Sequence, residues 1–499
     1  MQKIVLLICL FILLPLSVAA QGNSFVRYDC LAAGGNSSSH GLQAPRRKLS
    51  FMNDWDSTRV YPVAVVLVSF SDCDFSSEDP ADRYDRIFNE PGYNEGKGPG
   101  CVADYFRDQS SGWFRPRFDI YGPVKLASGK TENGELGMDA FRNAAKKVVD
   151  SLKVDFSPYD WNADAIAASV IFIYAGYGGN EKSSVAKGCI WPNTSSFSSL
   201  NAGNVTLYNY SASAEMWSND KLCGIGTVCH EYSHTLGLPD IYPTSGSEYS
   251  VVDEWDLMDG GNFVNSGWCP PCYSPHERML LGWMEPEELA GSTAIEQMKP
   301  LSEGGKTYII RTSSDKEFFL LENRQWSGWD LRTPGHGLLI SHVYYDAFAW
   351  SSNTVNNKPD QHRYEYVHAD NMDYNDWDAV IGDENPYVSG HSRYLSTTPY
   401  PLVNDSLENR SLTDNSVPAA TTYTGSGLLS KPITDISETD GLISFSFMGG
   451  IFSGISDGAV RSTVPTESYD LLGRKTLPGQ NGIIIRNGKK FIHQFNKHN

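Results

Sequence analysis

The chain is 499 residues long and carries 59 acidic against 40 basic side chains, a net charge of −19. Such a length holds two or three domains with ample buried core. The acidic excess argues against nucleic acid or an anionic membrane surface as a partner and favours solubility and bound cations, while leaving the fold open. Residues 1–20 combine a lysine, an unbroken apolar run over 4–14 and a small-residue end at Val18, Ala19 and Ala20, the pattern of a cleavable secretory signal that sends the chain to the cell surface or medium. The run is short for a membrane span and no later segment is apolar enough for one, so no stable membrane insertion is expected. Without Cys9, which leaves with the signal, the cysteines are Cys30, Cys73, Cys101, Cys189, Cys223, Cys229, Cys269 and Cys272. An even number in an exported chain suggests disulfides, with 105 pairings open to eight cysteines, and for Cys269 and Cys272 structural disulfide use is expected ahead of a zinc or redox motif.

Residues 21–60 are Gly/Ser-rich and then basic at Arg46, Arg47 and Lys48, too poor in apolar content to fold alone, which fits a short propeptide with a dibasic cleavage site. Buried strands are expected over 63–70 and 168–174, both apolar runs bounded by polar or proline residues. Between them, Phe141, Ala144, Ala145, Val148 and Leu152 recur at helical spacing and mark an amphipathic helix. The polar, glycine-rich stretch 176–204 reads as a long connection bordering a cleft.

The densest chemistry lies over 226–240. His230 and His234 stand four apart, so on a helix their side chains diverge by only about 40° and one cation can touch both rings. Glu231 points about 100° away from His230, beside such a metal rather than on it, as suits a base acting on water. Cys229, Tyr232 and Leu236 form the opposite apolar stripe, Gly237 offers a left-handed helix stop, and Pro239 opposes resumption. The turn can return Asp240 as a third, oxygen ligand, leaving a fourth corner for water. Two histidines at this spacing are commonly plain core or surface residues; the added glutamate, glycine and aspartate at fixed offsets are what single this stretch out. Met258 sits soon afterwards in a turn closed by Gly260 and Gly261.

Taken together, the H-E-x-x-H-x-x-G-x-x-D pattern of 230–240, the W-x-L-M-x-G-G pattern of 255–261 and the stretch 277–283 resemble the immune inhibitor A (M6) family of secreted metallopeptidases, of the metzincin clan. The resemblance implies zinc held by His230, His234 and Asp240, Glu231 as general base, and Met258 as the methionine-turn floor under the metal. It also places a helix over 102–112 before a strand over 114–121. Further similarity over 318–324 and 334–342 extends it from about residue 60 to 450. The implied fold class is α+β: a metzincin-like zinc-protease domain, mixed sheet plus active-site helix, over 61–285, followed by a β-sandwich-like domain over 286–449. The implied activity is zinc-dependent endopeptidase action on protein or peptide substrates. Within the propeptide, Asp29 or Cys30 could fill the open zinc position and hold the enzyme latent, against the plainer alternative that Cys30 pairs with another cysteine. No second oxyanion donor stands out, Tyr249 being near only in sequence.

Beyond Trp283, β-like runs over 307–311, 317–322, 337–345 and 442–448 alternate with turn residues, as in a sandwich. Asp370, Asp373, Asp376, Asp378, Asp383 and Glu384 cluster hard oxygen donors, so calcium is one reading and a solvated acidic loop the other, EF-hand spacing being absent. A linker over 450–465 leads to a tail over 466–499 with a hairpin signal at Asn487 and Gly488. That tail is similar to the C-terminal sorting modules of Bacteroidetes proteins exported by type IX secretion, which implies a secretion-machinery partner.

Overall fold

A computed structural model describes residues 55–180, 187–217, 220–245, 250–373, 395–453, 469–470, 482–486 and 489–493. The expected signal, most of the propeptide, Tyr249 and the acidic stretch beyond Asp373 lie outside the described residues. Two compact units are present, Met1–Phe452 and Ser453–Asn499. No helix among the described residues is long and apolar enough to cross a membrane.

The larger unit is a mixed α+β structure. Its elements are β1 (Tyr61–Ser69), α1 (Pro80–Asn89), α2 (Val102–Gln109), β2 (Pro116–Lys125), α3 (Met138–Asp150), β3 (Ile166–Ala167), β4 (Val170–Tyr177), β5 (Asn193–Ala202), β6 (Val205–Met216), α4 (Ile225–Leu236) and α5 (Pro275–Leu280). Then follow β7 (Glu287–Glu288), β8 (Thr293–Met298), β9 (Tyr308–Arg311), β10 (Glu317–Arg324), β11 (Gly337–Tyr344), α6 (Ala347–Ser351), β12 (Tyr364–Tyr366), β13 (Leu402–Val403), β14 (Glu408–Asn409), β15 (Ile433–Thr439) and β16 (Leu442–Phe447).

The first sheet runs β2-β1-β4-β6, all parallel, with β3 also parallel to β6 and β5 antiparallel to it. Alternate side chains of a strand face opposite ways. In β1, Val63, Val65 and Leu67 enter one core with Tyr105, Phe106, Val228, Cys229, Tyr232 and Leu236 from α2 and α4. Ala64, Val66 and Val68 enter another with Ala140, Phe141, Ala144, Ala145 and Val148 of α3. Both faces are therefore covered by helices, which explains why β1 and β4 read as continuous apolar runs rather than alternating ones.

Two expectations change here. The helix over 138–150 ends before Leu152, which is 52% exposed, so the last position of the apolar repeat lies off the helix. The stretch 176–204 is not all connection: it contains β5, which forms a hairpin with β6 through Gly203 and Asn204, Ala202 facing Val205. Asn193, Thr194, Ser195 and Ser196 of this strand are buried, so small polar side chains occupy positions where a hydrophobic pattern would have signalled a strand.

A second sheet, ordered β12-β11-β10-β9-β7, is also buried on both faces. Phe318 and Leu320 of β10 join the core that contains α4, while Phe319 and Leu321 join a third core with Ile443, Phe445 and Phe447 of the β15-β16-β8 sheet. The α4 core thus extends across residue 285 to Leu339, Val343, Trp350 and Tyr364. Cys269 and Cys272, expected to serve in structural disulfides, are buried free thiols; Cys269 Sγ donates to the Trp329 carbonyl at 3.4 Å. Cys73, Cys101 and Cys229 are free thiols as well.

In the smaller unit, strands β17 (Tyr469–Asp470), β18 (Gly482–Arg486) and β19 (Lys489–His493) form one antiparallel sheet, Arg486 facing Lys489. The Asn487 and Gly488 turn itself falls outside the described residues.

Candidate metal centre

Helix α4 carries both histidines, and its ends show why they sit where they do. At the start, Gly226 donates its N–H to the Gly267 carbonyl at 2.7 Å, and an ideal Cβ on Gly226 would stand 2.1 Å from the Asn262 carbonyl oxygen. Only a glycine lets the helix approach the 262–268 turn this closely. At the other end, Gly237 takes φ +110° and donates to the His234 carbonyl at 3.1 Å, closing the helix as a left-handed cap. The chain then reverses and brings back Asp240.

His230, His234 and Asp240 are all buried, with donor atoms within 4.8 Å of one another. Asp240 Oδ1 lies 3.2 Å from His230 Nε2 and 3.1 Å from His234 Nε2. The other ring nitrogens are spoken for: Nδ1 of His230 is 2.8 Å from the Leu257 carbonyl and Nδ1 of His234 is 2.8 Å from the Leu238 carbonyl. A carbonyl only accepts, so each Nδ1 carries a proton and it is Nε2 of each ring that faces the centre. His230 Nε2 and Asp240 Oδ1 are buried and make no hydrogen bond.

The electrostatics ask for positive charge at this point. Burial opposes ionisation of Asp240, yet the two imidazoles hold its carboxyl well below the usual range. Burial likewise works against a charged His230, yet Asp240 and Glu231 lift it to about 9. Two ring nitrogens and one carboxylate oxygen turned toward one spot, with His230 Nε2 and Asp240 Oδ1 lacking hydrogen bonds, are a donor set that could hold a divalent cation, and burying such atoms unpaired is costly. Among the described residues no other group of three such donors is so placed.

Glu231 is buried beside this set, with Thr194 Oγ1 of β5 placed 2.5 Å from its backbone carbonyl and 3.0 Å from its Oε2. The antiparallel strand absent from the sequence reading therefore carries the hydroxyl that orients this carboxylate. Behind the helix, Ser233 Oγ bonds the Tyr273 hydroxyl and, at 2.6 Å, the Cys229 carbonyl.

Met258 is fully buried, and its turn reaches the centre through its backbone. The Leu257 carbonyl fixes the His230 ring, the Met258 carbonyl accepts from Ile241 N at 2.8 Å, and the Asp256 carboxylate accepts from Met258 N at 2.8 Å. Burial raises Asp256 to about 6, a hydrogen bond with Glu277 opposing it, and burial together with the Asp256 charge puts Glu277 well above its usual range, so this buried acid pair beneath the turn retains a proton.

Asn353 also reaches the site, from 113 residues downstream of Asp240, and nothing in the spacing announced it. Its Oδ1 accepts from Asp240 N at 2.6 Å and its Nδ2 donates to Asp240 Oδ2 at 2.5 Å. In the acidic segment, the described part of Asp370 is committed to protein groups, accepting from Met372 N at 3.0 Å and Thr397 Oγ1 at 2.7 Å.

The sequence model of the family described as "Immune inhibitor A peptidase M6, catalytic domain" matches residues 163–278. Immune inhibitor A of Bacillus thuringiensis subsp. alesti is 25% identical over 293 residues, covering 47% of this chain and 41% of that protein. The chain thus spans less than half the length of the curated relative it matches. The matched stretch contains α4, Asp240 and the Met258 turn, so the part of the chain that builds the His230, His234 and Asp240 centre is the part similar to an M6 peptidase catalytic domain.

Proposed function

We propose that the protein is a secreted zinc endopeptidase of metzincin type that hydrolyses internal peptide bonds of protein or peptide substrates. The observation that carries this reading is the convergence of Nε2 of His230, Nε2 of His234 and Asp240 Oδ1, with Glu231 buried alongside. His230, His234 and Asp240 would hold the zinc, with the Met258 turn as its floor. Bound there, zinc supplies Lewis acidity toward a water molecule and a peptide carbonyl.

The remaining chemistry belongs to side chains of the chain itself. Glu231 accepts the proton of the attacking water on its carboxylate and returns it to the departing amine, acting as base and then as acid. Thr194 restrains the Glu231 carboxylate, so the proton carrier does not swing away between the two transfers. The Leu257 and Leu238 carbonyls accept from Nδ1 of His230 and His234, which orients both rings so that Nε2 is the atom each offers to a metal. Burial of all four groups keeps bulk water from competing with their contacts.

Export by residues 1–20, a propeptide over 21–60, and sorting by the tail over 466–499 are parts of the same proposal; for the acidic segment from Asp370 to Glu384 calcium binding stands as the alternative to a solvated loop. Digestion of casein with and without a chelator tests the activity. Hydrolysis that stops on metal removal, returns with zinc and is absent in Glu231→Ala supports the assignment; hydrolysis indifferent to both rejects it. Deleting residues 466–499 should retain the protein in the periplasm, and normal release would rule out a sorting role.

A further inference from the structure

The loop after α6 contains three asparagines within five positions, Asn353, Asn356 and Asn357, and all three grip the segment that carries Asp240. Besides its two bonds to Asp240, Asn353 accepts from Thr244 Oγ1 on its own backbone carbonyl at 2.6 Å. Asn356, fully buried, donates to the Ile241 carbonyl at 2.9 Å while its Oδ1 accepts from Arg363 N and Tyr364 N at 2.8 and 3.1 Å. Asn357 Oδ1 accepts from Thr244 N at 2.7 Å. On the opposite side the same segment hangs from the Met258 carbonyl through Ile241 N. Asn353 adopts φ +58°, a left-handed conformation that asparagine tolerates better than most residues.

We infer that Asn353 is a positioning residue for the metal centre, and that it determines how Asp240 presents its carboxylate; this rests on the reading of His230, His234 and Asp240 as the cation's ligands. The primary amide matches Asp240 twice, its oxygen on the backbone N–H and its NH2 on Oδ2. With Oδ2 committed to Asn353, Oδ1 is the oxygen turned toward the two imidazoles. Asp240 is thereby held as a single-oxygen ligand, and a site with three single-atom protein ligands retains room for water. Without the amide, the Asp240 carboxylate can rotate and the backbone of the turn loses an anchor in a buried place. Partners behind metal ligands commonly matter 10- to 100-fold in metal affinity.

The test is zinc affinity, measured on the full chain by competition against a chromophoric chelator, with apo-protein melting recorded in parallel. Asn353→Ala should bind zinc about 10- to 100-fold more weakly than the unsubstituted protein. Asn353→Asp preserves volume and an acceptor for Asp240 N but sets a second carboxylate against Oδ2, and should be weakened at least as much. Asn357→Ala, which loosens the same loop without touching Asp240, should stay within about twofold of the parent, and so separates positioning from general loss of loop structure. Wild-type-like zinc affinity in both Asn353 variants would overturn the inference while leaving the ligand assignment standing; absence of stoichiometric zinc in the unsubstituted protein would remove the ligand assignment itself and the inference with it.

Discussion

Replacing Arg324 by methionine probes the joint between the site-bearing segment and the second sheet. Arg324, at the end of β10, is wholly buried, with Nε 2.6 Å from Glu322 Oε2 and Nη1 2.8 Å from Asp330 Oδ1. Asp330 Oδ1 also accepts from Cys272 N at 2.9 Å, just ahead of α5, and the Tyr366 hydroxyl lies 3.4 Å from Glu322. Methionine keeps the bulk and removes the charge, leaving two carboxylates buried together without their cation. Breaking a buried ion cluster in this way costs about 3–5 kcal/mol. Taking an unfolding entropy of about 2 cal/mol/K per residue over roughly 400 ordered residues, that is a fall of about 4–6 °C in melting temperature. Burial already raises Glu322 above its ordinary value despite Arg324. In the variant Glu322, without its cation, should be raised further, so the folded state binds more protons than the unfolded one. Stability tied to a raised carboxyl is present below the unfolded value near pH 4 and lost as pH rises, so the deficit should be smaller at pH 5 than at pH 8. The triple change Glu322→Leu, Arg324→Met, Asp330→Leu should recover most of the loss, less about 1–3 kcal/mol for the Cys272 N–H left unpaired. Scanning fluorimetry at the two pH values decides the matter. A methionine variant melting with the parent, or with a deficit indifferent to pH, would refute the reasoning.

Three further outcomes are expected. Glu231→Gln should retain stoichiometric zinc by elemental analysis yet lose about 10²- to 10⁴-fold in peptide hydrolysis, the usual range for general acid–base catalysis; loss of the metal together with the activity would instead make Glu231 structural. Gly226→Ala forces a Cβ to within 2.1 Å of the Asn262 carbonyl, so α4 must shift or its N-terminal turn must open, and zinc affinity and melting temperature should fall together; parental values for both would contradict the close approach. Glu365 is held at about 2, burial opposing this and His342 and His362 producing it, with Nδ1 of His362 3.0 Å away and Nδ1 of His342 3.4 Å away. A depressed carboxyl stabilises above its unfolded value near 4.5 and loses that contribution as pH falls toward 2, so Glu365→Gln should flatten the acid limb of the melting curve between those limits; an unchanged limb would count against the pairing.

What could be read from the sequence at the centre is what is local. His230 and His234 share one helix, and the helix supplies their spacing. Gly237 ends it, and the turn that follows is short enough for its product, Asp240, to be foreseen. Strands β1 and β4 were equally legible, since a sheet covered on both faces needs apolar side chains at every position. Thr194 was not, because β5 buries serine, threonine and asparagine against neighbours that bond or pack them, and such residues argue for a loop when read alone. The pairing of Gly203 with Asn204 between 202 and 205 was the available hairpin signal. Cys269 and Cys272 misled in the other direction: an even cysteine count in an exported chain suggests disulfides, whereas the fold uses the segment to meet Trp329 and Asp330. Asn353 left no trace at all, because a pairing across 113 residues follows no periodicity.

That asymmetry bears on how much chain the centre needs. Two of its three donors are fixed by α4, whose geometry depends on the first sheet and the 262–268 turn. The third is suspended between the Met258 carbonyl on one side and the asparagine loop on the other. The stretch similar to an M6 catalytic domain stops at residue 278 and so includes the first support but not the second. Helix α4 likewise packs in one core with Leu320, Leu339, Val343 and Tyr364, so the second sheet backs the histidines while the loop between its strands β11 and β12 anchors the aspartate. A cation at this point would bind the folded larger unit and not its unfolded chain, and its binding energy would stabilise both sheets at once. Metal affinity and global stability should therefore respond together to changes in the second sheet's contact with α4, even where the altered residue lies far from any ligand.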